Sequence, residues 1–200
     1  MATDLHHTRL DAVVQCLLAS RARVVADLGC GHGELIERLR DHAQFSLILG
    51  IDIDPVSLDC ARDRLGLDIL DQDSRLRVLA GSFENSDWLN GVAIDAAVML
   101  ETIEHIDPGR LSRVERAIFG QIQPKMVVIT TPNKEYNILH GLSPEHKRHP
   151  GHRFEWTRAQ FRSWCEGVAQ RNGYAILFQD VGPRDSLRGS STQMAQFSRL

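Results

Sequence analysis

The chain has 200 residues, of which 42% are hydrophobic, and it carries a formal net charge of −3. Its mean hydropathy is −0.23. This length and composition support one well-buried core, so we expect a single domain over residues 1–200. The slightly acidic balance excludes a domain that grips nucleic acid along its whole surface. No apolar run is long enough to span a membrane, and the four scattered cysteines are typical of a reduced, cytoplasmic protein.

Hydrophobic periodicity in the first half of the chain predicts alternating strands and helices. An amphipathic pattern predicts an opening helix over residues 5–19. Short apolar runs predict the strands, and Asp54 followed by Pro55 is a typical helix start. The predicted strands cover residues 23–28, 46–52 and 76–80, and the predicted helices that follow the first two cover residues 34–42 and 55–65.

The second half continues the same alternation and then changes. The predicted strands cover residues 94–100, 126–130, 174–181 and 192–198, and the predicted helices are 111–119, capped by Asp107 and Pro108, and a long helix after Thr157. The turn-rich connection 182–191 is too short for a helical crossover, so the last two strands should pair antiparallel. The sequence therefore predicts an α/β fold, a Rossmann-like doubly wound sheet of seven strands whose last pair is antiparallel.

A glycine-rich turn follows the first predicted strand. Gly29, Gly31 and Gly33 permit a close backbone approach to a ligand at the start of a helix, where amide groups are free. A dinucleotide fingerprint would place its third glycine one residue later. The turn also begins with Asp27, whose carboxylate suits an ammonium group better than a pyrophosphate. These two departures favour S-adenosylmethionine, which has a cationic sulfonium, an amino-acid tail and no phosphate.

Three further residues are predicted to complete this cofactor site. Asp52 ends the second predicted strand, 21 positions after Gly31, which agrees with the usual spacing from a glycine loop to a ribose-binding acid. Ser82 and Phe83 follow the third predicted strand, where they are placed to hydrogen-bond the adenine edge and to cover its face.

A group of carboxylates and imidazoles follows the fourth predicted strand. Glu101, Glu104 and His105 fall within one predicted helical turn, in which side chains three residues apart share a face. The histidines that could complete a divalent-metal site lie downstream, at His146, His149 and His152. Mixed oxygen and nitrogen ligands move the preference from magnesium toward manganese, iron, cobalt or zinc. The pattern lacks the His-Glu-x-x-His order of zinc peptidases, which disfavours peptidase chemistry.

Four segments taken together carry a family resemblance. Residues 27–31, 101–105, 130–137 and 148–158 closely resemble the Hua-enhancer family of small-RNA 3′-terminal 2′-O-methyltransferases, and the resemblance covers nearly the whole chain. The segments 182–185 and 192–195 resemble the bacterial RNA-repair branch of that family. The resemblance implies the fold of class I S-adenosylmethionine-dependent methyltransferases.

The resemblance also implies a metal-dependent reaction. It implies that Glu101, Glu104, His105 and His152 hold Mn²⁺ or Mg²⁺, which chelates both hydroxyls of the terminal ribose and activates the 2′-OH. His105 or His149 would accept the hydroxyl proton. One departure is Gly151, because the family usually has Asp before its last ligand and this chain lacks that residue to orient His152.

The predicted partner is an RNA 3′ end with a free 2′,3′-diol. Substrate contacts are expected from Pro132, Asn133 and Tyr136, which follow the fifth predicted strand, and from Arg148 in a short basic patch. Because the acidic balance leaves little surface for an RNA body, we expect a methyltransferase domain that forms the C-terminal part of a longer protein or depends on a partner. The resemblance suggests an RNA kinase-phosphatase-ligase as that partner.

Two alternatives stay open at the level of sequence. A metal-dependent O-methyltransferase acting on a small vicinal diol, such as a catechol, would need the same ligands. A domain that binds S-adenosylmethionine without turnover is the second alternative, and it predicts a disabled metal site, whereas all four candidate ligands are present.

Overall fold

A mixed seven-stranded sheet forms the centre of the molecule, and its strands, counted along the chain, lie in the order third, second, first, fourth, fifth, seventh and sixth. The computed structural model describes residues 2–67, 74–143 and 145–200. The strands are β1 (Val24–Leu28), β2 (Leu47–Asp52), β3 (Leu76–Ala80), β4 (Ala96–Leu100), β5 (Met126–Pro132), β6 (Tyr174–Asp185) and β7 (Gly189–Arg199). The first five strands are parallel, so their carboxyl ends meet at one edge of the sheet. This arrangement confirms the predicted fold class.

The last two strands are antiparallel, as the short connection predicts. β7 lies between β5 and β6 and pairs antiparallel with both. Both strands are longer than predicted: β6 reaches Asp185 and β7 begins at Gly189. The pairing of β6 with β7 continues past an irregularity between Val181 and Arg184. The turn-forming residues of this segment had predicted a connection there instead of paired strands.

Five α-helices cover the two faces of the sheet. They are α1 (Ala2–Ser20), α2 (Glu34–Arg40), α3 (Pro55–Leu65), α4 (Leu111–Glu115) and α5 (Arg158–Asn172). Apolar residues of α1, α2 and α3 pack in one core cluster, and those of α4 and α5 pack in the other. Alternation along β4 serves both clusters, because Val98 faces the first and Met99 the second. Within the described part of the chain, no helix combines the length and apolar character needed to cross a lipid bilayer.

The region before β5 departs from the predicted helix 111–119. The α-helical part ends at Glu115 and continues as a π-helix over Arg116–Ile122. Asp107 does not cap this helix: it precedes a separate 3₁₀ turn, Pro108–Arg110, and its side chain forms no capping hydrogen bond.

Helix α5 begins directly after Thr157, as predicted, and a complete capping box forms at its start. The Thr157 side chain accepts from the Gln160 backbone N–H, and the Gln160 side chain accepts from the Thr157 N–H. This box matters for the fold because α5 packs Phe161 and Cys165 against the sheet. Two orphan amide groups at the helix start are thereby satisfied.

We expect Thr157→Ala to lower the free energy of unfolding by about 1 kcal/mol, because it removes the acceptor for one of these amides. Urea denaturation of the metal-free protein would measure the change. Thr157→Ser retains the hydroxyl and is the matched control, which should stay within about 0.5 kcal/mol of the parent chain. Equal losses in the two variants would contradict the capping explanation.

Candidate active site

Two adjoining cavities open at the carboxyl edge of the parallel strands. The first, of about 660 Å³, is bordered by the turn after β1 and is called here the glycine-loop cavity. The second, of about 770 Å³, is bordered by His105, His149 and His152 and is called here the histidine cavity. Glu101 and His105 line both cavities, so the two spaces meet at these side chains.

The turn after β1 has the backbone geometry that its glycines predict. Gly29, Gly31 and Gly33 all have positive φ angles, of 81°, 51° and 78°. A Cβ atom on Gly29 would lie 2.4 Å from the Thr102 side chain, so that position also requires a residue without a side chain. The Gly29 and Cys30 amides donate to the Ile51 carbonyl, which holds the turn against the end of β2.

Asp27 lies at the base of the glycine-loop cavity and is buried. Burial, and then the nearby Asp52 carboxylate, raises the pKa of Asp27 to about 7. A carboxylate whose charge is this poorly solvated is stabilised by a cation placed beside it. The geometry therefore favours a positively charged ligand group at this end of the cavity.

Asp52 lines the same cavity from the end of β2. One carboxylate oxygen accepts from the Gly31 N–H at 2.9 Å, and the other accepts from the Asp54 N–H at 3.0 Å. These bonds fix the orientation of the carboxylate, and each oxygen retains a further lone pair for a ligand hydroxyl. The arrangement can therefore accept both hydroxyls of a ribose diol.

Ser82 and Phe83 also line the glycine-loop cavity, at the turn after β3. The Ser82 hydroxyl accepts from the Glu84 N–H at 3.2 Å, and Phe83 packs partly against the core cluster of α4 and α5. The sequence interpretation missed Ile53, which lines this cavity and is 75% exposed. The sequence signal that could have identified Ile53 is its position directly after the predicted ribose-binding Asp52.

Glu101 does not lie in a helical turn, so the predicted shared helix face is wrong. It has a left-handed φ of 52° and precedes the short 3₁₀ helix Ile103–His105. The Glu101 backbone N–H donates to two oxygens of Thr130 in β5, the carbonyl oxygen and the side-chain hydroxyl. These bonds hold the sharp turn of the chain at the end of β4. Such a backbone costs about 1–3 kcal/mol for a residue with a side chain and is typical of functional sites.

Glu104 is fully buried beside Glu101. Thr131 donates to its Oε2 at 3.0 Å, whereas its Oε1 has no hydrogen-bond partner among the described residues. Burial, and then the negative charge of Glu101, raises the pKa of Glu104 well above its usual range. Glu101 Oε1 is likewise buried without a partner in the described chain. The site therefore holds two buried carboxylate oxygens with no hydrogen-bond donor among the described residues.

Arg9 of α1 partly compensates the negative charge of Glu101. The sequence interpretation missed this contact. Its Nη2 lies 3.0 Å from Glu101 Oε2, and its Nε donates to the Thr192 hydroxyl at 2.8 Å. Arg9 lies 92 positions before Glu101, so no local sequence signal could have paired them. The first helix thus forms part of the wall of the histidine cavity.

Three imidazoles converge on the other side of Glu104. The ring centroid of His105 lies 4.8 Å from that of His152 and 5.7 Å from that of His149. Partial desolvation by the surrounding protein, and then the neighbouring His152 and His149, lowers the pKa of His105, which favours its neutral form although part of the side chain is exposed. His152 Nε2 lies 3.9 Å from the unpartnered Glu104 Oε1. His146 lies outside this group, since it bonds to Ser143 at the surface.

Glu155 orients His152 and was missed by the sequence interpretation. Its Oε1 accepts from His152 Nδ1 at 2.6 Å and from the Arg148 N–H at 2.7 Å, and its Oε2 accepts from Asn137 at 2.5 Å. Burial alone would raise its pKa, but the hydrogen bonds from His152 and Asn137 hold the pKa of Glu155 below its usual value. The bond at Nδ1 leaves Nε2 of His152 free toward Glu104. The sequence signal that could have identified Glu155 is its position three residues after His152.

The predicted substrate residues divide into two pairs. Pro132 and Arg148 line the histidine cavity. Arg148 also donates to the Asn133 carbonyl at 2.8 Å. The Asn133 side chain is buried, and its amide donates to the carbonyls of Arg188 and Ser190.

Tyr136 is also buried, with its ring 5.2 Å from that of His140. Neither Asn133 nor Tyr136 is among the described residues that line the two cavities. The reason is local: β5 continues to Pro132, and Asn133 then caps the 3₁₀ helix Lys134–His140. Their placement supports a structural function, and it does not support the predicted substrate contact.

Comparisons with known proteins find the same methyltransferase fold. A family profile described as a methyltransferase domain matches residues 26–122. The crystal structure of the methyltransferase domain of bacterial CtHen1-CN is 37% identical, with a TM-score of 0.86, and the match covers 97% of this chain and 99% of that one. The small RNA 2′-O-methyltransferase of Gallus gallus is 33% identical over 185 residues, which are 89% of this chain and 48% of the relative.

The match covers nearly all of the CtHen1 methyltransferase domain but only part of the longer relatives. The chain spans about half the length of the curated vertebrate relatives that it matches. A chain in the Pnkp1/Rnl/Hen1 RNA repair complex shares the fold, with a TM-score of 0.74 at 22% identity. By these matches the chain belongs to the Hen1 family of small RNA 2′-O-methyltransferases, and it corresponds to the methyltransferase domain of that family.

Proposed function

We propose that this chain transfers a methyl group from S-adenosylmethionine to the 2′-OH of the 3′-terminal ribose of RNA, with the help of a divalent cation. The observation that carries the proposal is a pair of buried oxygens, one on Glu101 and one on Glu104, that have no hydrogen-bond partner among the described residues. Both residues line the histidine cavity, and Glu101 also lines the glycine-loop cavity. Two carboxylates in such a place are costly unless a cation or a donor compensates them. A bound cation supplies that compensation.

The residues present fit a divalent cation well. Glu101 and Glu104 offer oxygen ligands, His105 and His152 offer imidazole nitrogens, and all four residues line the histidine cavity. This mixed set suits Mn²⁺ better than Mg²⁺, which prefers oxygen and water. Bound there, the cation would lower the pKa of a coordinated ribose hydroxyl and orient it. A terminal diol offers two adjacent oxygens, whereas a 3′-phosphate or a 2′-deoxy end does not.

The glycine-loop cavity fits the methyl donor. Asp27 would face the cationic amino-acid end, Asp52 the ribose hydroxyls, and Ser82 with Phe83 the adenine. Because this cavity joins the histidine cavity at Glu101 and His105, a sulfonium in the first would lie next to a hydroxyl in the second. Holding the two reactants in line supplies much of the acceleration in a transfer of this kind.

The protein also supplies a group to accept the hydroxyl proton. His149 is an exposed imidazole at the rim of the histidine cavity and is not needed for the four-residue ligand set. Its Nδ1 accepts from the Gly151 N–H at 3.0 Å, which orients the ring. His105 is less suited to this function because a nitrogen that holds the cation cannot also take a proton. We therefore assign proton acceptance to His149.

We propose further that the chain works as part of a longer protein or with an RNA-repair partner. Its net charge of −3 provides little general attraction for an RNA body. It matches about half of the longer curated relatives, and a chain of the same fold occurs in a Pnkp1/Rnl/Hen1 repair complex. We propose an RNA kinase-phosphatase-ligase as that partner. Tight binding of long RNA by this chain alone at physiological salt would contradict it.

We expect Asp27→Asn to stabilise the metal-free protein increasingly as the pH rises. The folded pKa of Asp27, about 7, exceeds its unfolded value, so folding retains the proton and ionisation progressively destabilises the folded state between about pH 4 and 7. The stability advantage of the variant should grow by on the order of 2 kcal/mol between about pH 5 and 7.5 in urea titrations.

The same variant should bind S-adenosylmethionine at least about tenfold more weakly at pH 7.5, measured by calorimetry, because it lacks the partner for the ammonium. Asp41→Asn, at an exposed position at the end of α2, is the control for both measurements. A variant that bound the methyl donor as tightly as the parent chain would remove Asp27 from the cofactor site.

We expect Glu104→Gln to abolish metal-dependent methylation without unfolding the protein. The amide has the shape of the carboxylate and no charge, so it is no more costly to bury. Methylation of a 3′-OH RNA with Mn²⁺ should fall at least about 100-fold. Binding of Mn²⁺, measured by electron paramagnetic resonance, should be lost.

Glu145→Gln, at an exposed position, is the matched control. The parent chain should leave the 3′-phosphate and 2′-deoxy counterparts of the RNA unmethylated. Methylation of a catechol in preference to the RNA would favour the small-diol alternative. Binding of the methyl donor without any turnover would favour the non-catalytic one, and full activity in a chelator would overturn the metal proposal.

We expect Glu155→Gln to weaken Mn²⁺ binding by about 10–100-fold, because it disturbs the carboxylate that orients His152. The new amide group would also face the Asn137 donor, to which Glu155 now accepts. Calorimetry with Mn²⁺ measures the loss, and Glu166→Gln on the exposed face of α5 is the control. Affinity for S-adenosylmethionine should stay unchanged, and a parallel loss of both affinities would indicate general unfolding of the site.

A further inference from the structure

The histidine cavity contains a second set of metal ligands that overlaps the first. His105, His149 and His152 can each offer one nitrogen, and these three atoms lie within 4.8 Å of one another. The ring centroids form a nearly regular triangle, with sides of 4.8, 5.7 and 5.6 Å. No carboxylate among the described residues belongs to this group of three.

Gly151 makes this close approach of the imidazoles possible. A Cβ atom at residue 151 would lie 3.0 Å from His149 Nδ1 and 3.1 Å from His105 Nδ1. A side chain there would therefore press on both rings. The Gly151 N–H instead donates to His149 Nδ1, and Glu155 holds the third ring, that of His152. The backbone of one short loop thus organises the cluster.

Three imidazoles and one open position are the ligand set of a tetrahedral Zn²⁺ site. Bonds of about 2.0–2.1 Å place tetrahedral ligand nitrogens about 3.3 Å apart, so each ring needs to move by less than about 1 Å. His105 and His149 are exposed, which gives them room to make that movement and gives an ion access from solvent. Mg²⁺ has little affinity for such nitrogen ligands.

We propose that His105, His149 and His152 form a zinc-binding site, and that Zn²⁺ bound there inhibits the enzyme. The inhibitory part rests on the proposed function, because His105 and His152 belong to both ligand sets and cannot serve them at the same time. Zinc would also occupy His149, which the proposed reaction uses as proton acceptor. The binding part rests on the geometry of the three rings alone.

Calorimetric titration of the metal-free chain with Zn²⁺ tests the binding part. We expect one Zn²⁺ per chain in the parent protein and an affinity at least about tenfold lower in His149→Asn. Binding of Mn²⁺ should change less than about twofold in that variant, because His149 lies outside the carboxylate set. His146→Asn removes an exposed histidine of the same loop and should bind Zn²⁺ like the parent chain.

Gly151→Ala provides an independent test, since it retains all three histidines and only crowds the rings. It should also weaken Zn²⁺ binding, with unchanged affinity for S-adenosylmethionine as the measure of an intact fold. Zinc affinity that is the same in the parent chain and in His149→Asn would overturn the proposal. A loss of equal size in His146→Asn would overturn it too.

A methylation assay with Mn²⁺ tests the inhibitory part. Added Zn²⁺ should stop methylation by the parent chain at concentrations that saturate the calorimetric site. A chain that binds Zn²⁺ through His149 and methylates RNA undiminished would refute the inhibition. A chain that binds Zn²⁺ through His149 and never methylates RNA would refute the proposed function and leave the zinc site standing.

Discussion

Two carboxylates of like charge, that of the buried Glu104 and that of the half-buried Glu101, determine the organisation of this site. Glu101 and Glu104 each hold an oxygen without a partner in the described chain, where water cannot compensate it. Their mutual repulsion and burial give the site a strong preference for positive charge. Arg9 meets part of this preference from the first helix. The position of the proposed cation, and therefore of the hydroxyl that it would hold, follows from this electrostatic constraint.

The sheet brings the two cavities together beside these carboxylates. The parallel strands end at one edge, so the turn after β1 and the turn after β4 form walls of adjoining cavities. The left-handed backbone at Glu101, held by Thr130 of β5, turns its carboxylate to the junction of the two. A regular helix at this point would have continued away from the sheet. The local strain is thus a part of how the site is built.

The loop before α5 is organised by a single buried acid. Glu155 accepts from Asn137, from the Arg148 backbone and from His152, and so joins the 3₁₀ helix Lys134–His140 to the loop that carries Arg148 and His152. Gly151, within this loop, lets the imidazoles approach one another. Both features affect the chemistry indirectly, through the positions of other side chains. They connect the stability of the loop to the proposed metal site.

The sequence by itself determined the α/β fold, the antiparallel end of the sheet and the residues that form the glycine loop, because hydrophobic period, turn residues and motif spacing are local properties. Asp27 and Asp52 were correctly placed at one cavity for the same reason. Only the tertiary structure decided the left-handed turn at Glu101 and the contact of Arg9 with it. It alone also showed that Asn133 is used within the fold. These depend on packing between segments distant along the chain, which no local pattern encodes.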